Sequence, residues 1–227
     1  MNQTILCRRN ASKELFSLLK KSKTDKFLLV CDRAFPFLKL SKEFANCPVP
    51  YVTFNQFTPN PVYEDVCKGV ELFRKQGCDT IVAVGGGSTM DVAKCIKLFS
   101  GMDPGQNYLQ QELEDNPIPL IAVPTTSGTG SESTRFAVIY YQGTKQSISS
   151  SGAIPQAVIL DADVLDTLPL YQKKCTMLDA LCQAIESWWS VNSTQESRML
   201  SQRADRMILD AMDGYLANRP EENETML

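Results

Sequence analysis

The apolar run Thr80-Ile81-Val82-Ala83-Val84 passes directly into Gly85-Gly86-Gly87-Ser88-Thr89-Met90-Asp91-Val92-Ala93-Lys94, and this junction constrains the fold more than any other stretch. A β-branched run of that kind reads as a buried strand, and the glycines hand it to a helix that reads as starting near Thr89. Strand, glycine turn and helix in that order belong to an α/β sheet, whose carboxyl edge is where anions bind. With no Cβ at 85, 86 or 87 the backbone turns tightly and brings its N–H groups against a ligand. The unpaired first-turn N–H groups and the positive dipole end then favour a phosphate. Ser88 and Asp91 have capping-box spacing, with Asp in place of the usual Glu or Gln, which supports the helix start separately. Taken alone, the run is also explained by a glycine-rich turn with an ordinary cap, because three glycines are neither the dinucleotide fingerprint nor a P-loop.

A second junction changes that reading. Leu120-Ile121-Ala122-Val123 leads into Pro124-Thr125-Thr126-Ser127-Gly128-Thr129-Gly130-Ser131-Glu132, a hydroxyl-rich loop at another strand end. Two such loops are more than structure needs. Together the runs resemble the iron-containing (group III) alcohol dehydrogenases and their dehydroquinate-synthase-like relatives. The resemblance implies that Gly85, Gly86, Gly87 and Ser88 hold the pyrophosphate of NAD(P), with Asp91 in the same run. It implies that Thr125, Thr126, Thr129 and Ser131 line the dinucleotide cleft, and that Lys145 lies near the ribose or phosphates. It extends to Asp32 at the end of a strand, to Pro59-Asn60-Pro61 as the loop before a helix, with Asn60 among the cofactor residues, and to residues 155–169 leading into a helical domain. A carboxylate at Asp32 accepts hydrogen bonds from the adenosine ribose and repels a 2′-phosphate, so NAD is expected over NADP; a surface Asp in a turn is the alternative.

Strands read at 27–31, 49–54, 80–84, 118–123, 137–141 and 156–160, and helices at 12–21, 34–44, 62–76 and 89–99. This alternation predicts an α/β fold, a mostly parallel Rossmann-like sheet with helices on both faces, as a dinucleotide-binding domain over 1–168. Past Pro169 the pattern changes. Residues 175–190 and 196–217 read as longer amphipathic helices, the start of an all-α metal and substrate domain over 169–227, and Pro220 with the acids after it opens another helix. The chain is expected to stop within that domain. Its composition, 43% hydrophobic and 22% charged over 227 residues, is that of a globular protein. A net charge of −3 points away from nucleic acid and anionic membrane as partners. No apolar run reaches the roughly 20 residues of a membrane span, and the amino-terminal stretch lacks a signal-peptide core, so a cytoplasmic location is expected. The eight cysteines form no Cys-x-x-Cys and read as reduced core residues.

Members of the family carry a catalytic iron or zinc on one Asp and three His, the first two spaced Asp-x-x-x-His. The matching segment is Asp179-Ala180-Leu181-Cys182-Gln183, so the resemblance implies Asp179 as a ligand and sets Gln183 where the first imidazole belongs. Positions i and i+4 share a helix face, so both side chains reach one metal through oxygen. An amide oxygen is, however, a weaker ligand for iron or zinc than imidazole, and the sequence holds no histidine. Gln183 reads equally as an amide hydrogen-bonded on a helix face. Glu186 reads as a solvated or helix-packing carboxylate, and Trp188 and Trp189 as packing against the α/β domain. The stretch from Cys182 to Ser190 is similar to the branch that reduces phosphonoacetaldehyde. Arg135, near the cleft, suits bidentate pairing with an anionic substrate head, an exposed Arg on a sheet edge being the alternative.

Three functions compete at this point. One is a metal-dependent alcohol dehydrogenase passing hydride between nicotinamide and a small aldehyde or alcohol. Another is a nucleotide-binding fragment without turnover, and the third is a phospho-sugar dehydrogenase or synthase of the same fold. The first is expected of the gene product, as a homodimer or higher oligomer, and the second of these residues alone.

Overall fold

The computed structural model describes residues 3–10 and 13–227. Six strands form one parallel sheet: β1 (Thr4–Cys7), β2 (Phe27–Cys31), β3 (Tyr51–Phe54), β4 (Thr80–Gly85), β5 (Leu120–Pro124) and β8 (Ala157–Leu160), in the order β1-β8-β5-β4-β2-β3. β2, β4 and β5 are buried along their whole length because helices cover both faces. Successive side chains point to opposite faces and enter two separate cores. Leu28, Val30, Ile81, Ala83, Leu120 and Ala122 pack with α3 (Tyr63–Lys75) and α4 (Gly87–Phe99). Phe27, Leu29, Val82, Val84, Ile121 and Val123 pack with α1 (Lys13–Lys21) and α2 (Lys39–Phe44). Each of the buried Leu, Ile, Val and Phe side chains among these contributes about 1.5–3 kcal/mol of transfer free energy. Residue 12, where the sequence reading begins the first helix, lies outside the described residues.

After β2 the chain steps outward to β3 and then returns to lay β4 on the other side of β2. The strand order therefore reverses between β2 and β4, and a crevice outside the carboxyl ends of strands opens at such a reversal.

Four sequence expectations need correction. The strand expected at 137–141 is β6 (Phe136–Tyr141), which pairs antiparallel with β7 (Thr144–Ser149) in a separate hairpin, not in the main sheet. Gln142 and Gly143 both have positive φ, which matches the right-handed twist of a two-residue hairpin. α4 begins at Gly87, with Gly86 as its N-cap and no side-chain capping bond, so Ser88 and Asp91 do not form a capping box. Trp188 and Trp189 are 44% and 76% exposed, and neither belongs to the two apolar cores, so they are not the buried packing residues expected. Cys7, Cys175 and Cys182 are exposed, leaving Cys31, Cys78 and Cys95 as the buried thiols.

Past Pro169 lie α5 (Leu170–Trp189), α6 (Gln195–Leu216) and α7 (Pro220–Met226). α6 starts at a reciprocal cap, in which Thr194 accepts from the Ser197 N–H and Ser197 accepts from that of Thr194. Met177, Ile208, Ala211, Tyr215 and Met226 join the α1/α2 core, so this helical part shares its apolar interior with the sheet. The buried Lys173 ammonium ties the three helices together. It donates to Tyr215 O at 3.2 Å and to Asn218 Oδ1 and Asn223 Oδ1 at 2.7 Å each, and lies 4.3 Å from the Tyr215 ring.

Candidate dinucleotide cleft

The parallel register brings the carboxyl ends of β2, β4 and β5 to one edge, with Cys31 beside Val84 and Gly85 beside Pro124. Asp32 thus stands next to the glycine turn, and the Thr125 N–H donates to Gly85 O at 3.0 Å. The two loops touch. A Cβ built on Gly86 would lie 3.3 Å from both Thr126 Cγ2 and Oγ1, and one on Gly87 would lie 2.8 Å from Thr129 Cγ2. At the other side of the turn the Asn60 N–H donates to Ser88 Oγ at 3.4 Å, Asn60 itself being in the left-handed region at φ 57°.

The glycines are needed for space and not for unusual backbone angles. Gly86 has φ −82° and ψ −168°, an extended conformation open to any residue. A Cβ on Gly85 would collide with Thr89, 2.2 Å from its Oγ1. The Met90 N–H is bonded to Gly86 O, and the N–H groups of the turn before it have no acceptor within the helix. Those donors lie at the carboxyl end of β4 together with the positive end of the α4 dipole, an arrangement that favours an anion.

Around the mouth the expected residues take distinct places. Asp32 is half-buried, and its Oδ1 accepts from the Ala34 N–H at 2.9 Å, an arrangement that orders the turn after β2. Thr125 is buried, Thr126 half-buried and Thr129 exposed, and Thr129 Oγ1 accepts from the Ser131 N–H at 3.2 Å. Ser131 is buried. It accepts from Lys94 Nζ at 3.2 Å and donates to Asp91 Oδ1 at 3.4 Å. Burial pushes the Asp91 carboxyl up to about 6, against the opposing pull of Lys94, a backbone hydrogen bond from Val138, Ser131 and Lys145. Lys145 is exposed on β7 yet close enough to act on Asp91. Arg135 is exposed, its guanidinium 5.3 Å from the Phe136 ring centre.

α5 closes the back of the hydroxyl-rich loop. A Cβ on Gly128 would lie 2.8 Å from the Thr176 carbonyl oxygen, and the Ser127 hydroxyl donates to the Met226 carbonyl. The loop is therefore held between the start of α4 and the helical part.

A family model described as iron-containing alcohol dehydrogenase matches residues 2–162. The chain belongs to the iron-containing alcohol dehydrogenase family. It is 38% identical over 152 residues to a probable alcohol dehydrogenase, EutG, of Escherichia coli (strain K12), which covers 65% of this chain and 38% of that protein. It is 30% identical over 218 residues to an NAD-dependent methanol dehydrogenase of Bacillus methanolicus, covering 92% of this chain and 57% of that one. Its fold superposes on sulfoacetaldehyde reductase from Bifidobacterium kashiwanohense, solved in complex with NAD+, with a TM-score of 0.91 and 26% identity over 99% of this chain and 62% of that chain. The chain thus matches between 38% and 62% of these relatives' own lengths.

The family's metal does not fit the residues present. Asp179 and Gln183 lie together on α5, both exposed. Among the described residues no group of three or more His, Cys, Asp or Glu side chains is placed to hold a metal ion. Among the same residues no helix is long and apolar enough to cross a membrane.

Sequence reasoning gave no role to Lys94, Ser127 or Thr176. The signal for Lys94 was present: a lysine set among Val92, Ala93, Cys95, Ile96 and Leu98 has to be buried with them if the helix is packed all round.

Proposed function

We propose that these residues form the dinucleotide-binding part of an NAD-linked alcohol dehydrogenase or aldehyde reductase. The observation that carries this reading is the meeting of the glycine turn and the threonine loop, Gly86 against Thr126 and Gly87 against Thr129, at the reversal of strand order. The pyrophosphate sits on the N–H groups of Gly86, Gly87 and Ser88, with Gly85 leaving room for Thr89 behind them. Thr125, Thr126 and Thr129 wall the cleft, Asn60 and Ser88 close its rim, and Asp32 takes the adenosine ribose and disfavours NADP. Asp91 and Ser131 act from behind the wall, and Lys145 adds positive charge near the mouth.

The chemistry is hydride exchange between nicotinamide and a small carbonyl, as the names of the methanol and sulfoacetaldehyde relatives suggest. A small anionic aldehyde such as phosphonoacetaldehyde suits Arg135 as its partner. Asp179 and Gln183 do not complete a metal site, and we assign no step to one. In this reading the protein is cytoplasmic, a homodimer or higher oligomer, and its net charge of −3 gives nucleic acid no footing.

Two assays on residues 1–227 test the proposal. NAD is expected to bind saturably, and NADH oxidation with small aldehydes, phosphonoacetaldehyde included, is expected to stay at background with ferrous or zinc ion added. Absence of NAD binding sinks the cleft assignment. Robust metal-dependent turnover shows that the ligand set is complete without imidazole.

A further inference from the structure

We propose that Tyr215, on α6, is a positioning residue of the nucleotide cleft: its buried hydroxyl bonds to Ser127 as the threonine loop tightens on NAD, which couples binding at the front of the loop to the helices behind it. The inference rests on the cleft being the nucleotide site. The loop has two faces. Thr126 and Thr129 meet the glycine turn at Gly86 and Gly87, whereas Ser127 and Gly128, lying between them in sequence, meet the helical part. The Ser127 hydroxyl donates to the Met226 carbonyl at the end of α7, and Gly128 lies so close to α5 that a Cβ would stand 2.8 Å from Thr176 O. A shift of one face therefore moves the other.

Behind the loop, Tyr215 has no exposed surface and is held at both ends of its side chain's reach. Lys173 donates to its carbonyl at 3.2 Å and lies 4.3 Å from its ring, which fixes the ring against α5. The hydroxyl faces two others, those of Thr176 and Ser127. Both have their protons engaged elsewhere, Thr176 with Gln172 O at 3.0 Å and Ser127 with Met226 O, so each offers Tyr215 only an acceptor. Tyr215 is therefore the donor, and burial raises its pKa, which keeps that proton in place at neutral pH. In this structure the bond is not made: the hydroxyl has no hydrogen-bond partner among the described residues. A buried hydroxyl without an acceptor destabilises the fold, whereas a phenylalanine would fill nearly the same volume without that cost. Of the two acceptors only Ser127 belongs to the loop, so it is the one that a movement of the loop onto a nucleotide brings into reach.

The test is a set of NAD titrations and urea unfolding curves on the wild type, Tyr215→Phe, Ser127→Ala and the double variant. In Tyr215→Phe the NAD affinity is expected to fall about fivefold, the worth of one neutral hydrogen bond, while the urea midpoint of the free protein stays level or rises because the unpaired hydroxyl is gone. A merely structural role predicts the reverse, a lower midpoint with unchanged affinity, and that result overturns the inference. Ser127→Ala is expected to weaken binding, and Tyr215→Phe to add nothing in that background, since the two share one bond; additive losses overturn the inference as well. Hydrogen exchange on the wild type needs no variant. NAD is expected to slow exchange of the amides at 211–216 as well as those of the threonine loop, because the coupling is reciprocal, and protection confined to the cleft contradicts it. A wild-type protein that takes up no NAD overturns the cleft reading itself, a result distinct from unchanged affinity in Tyr215→Phe.

Discussion

Replacing Gly86 by valine separates binding from folding. The backbone at 86 is extended, so a side chain adds no torsional strain, and the position is half-buried at the crevice mouth. The new Cβ would meet Thr126 Cγ2 and Oγ1 at 3.3 Å, a contact that a rotation of the threonine relieves. Overpacking a close-packed core costs about 1–3 kcal/mol, and a site open on one side falls at the lower end. The two γ carbons then cover the first-turn N–H groups. Losing two charge-assisted hydrogen bonds at about 1.5–3 kcal/mol each amounts to roughly 3–6 kcal/mol, or more than about a hundredfold in affinity. Calorimetric titration with NAD, alongside circular dichroism and urea unfolding, reads both effects. Unchanged affinity in a protein with a native spectrum refutes the placement of the pyrophosphate. Gly85→Ala is the counterpart, because its Cβ would fall 2.2 Å from Thr89 Oγ1 and 2.6 Å from Thr89 Cβ at a buried strand end. Its cost is expected in the urea midpoint, about 1–3 kcal/mol.

Two further outcomes follow from the side chains around the mouth. Asp32→Asn keeps an oxygen for the Ala34 N–H and removes the charge, so NADP affinity is expected to rise by about tenfold relative to NAD; an unchanged ratio removes Asp32 from the ribose site. Lys94 titrates in the folded protein at about 8, below its ordinary 10.5, so the folded state binds fewer protons than the unfolded chain between those values. Stability therefore gains as pH rises from about 8 to 10.5, by at most about 3 kcal/mol, and Lys94→Met is expected to flatten that rise in urea midpoints taken at pH 7 and 10.

The central sheet was legible because β2, β4 and β5 are continuous apolar runs bounded by turn residues, a pattern that only a doubly covered strand explains. β1 was not, since as a four-residue edge strand with mostly exposed side chains it has neither a run nor an alternation to read. β7 was missed because Ile148 is its one buried residue, and its pairing with β6 is set by the backbone of Gln142 and Gly143. The start of α4 was misplaced by two residues because its N-cap is a glycine and uses no side chain. At the site, the two loops were legible from composition. Their mutual contact was not, because it depends on the register that sets Gly85 beside Pro124. The buried grip of Lys94 on the 131–136 segment links parts about forty residues apart, a relation that no local pattern contains.

The most direct measurement is a titration of isotopically labelled protein with NAD, followed through the backbone amide resonances. The N–H groups of Gly86, Gly87 and Ser88 are expected to shift most, with Thr126, Thr129 and the turn after Asp32 following at the same ligand concentration. Shifts confined to other surfaces, such as the exposed face of α5, or no shifts at saturating NAD, contradict a dinucleotide cleft between β2 and β4.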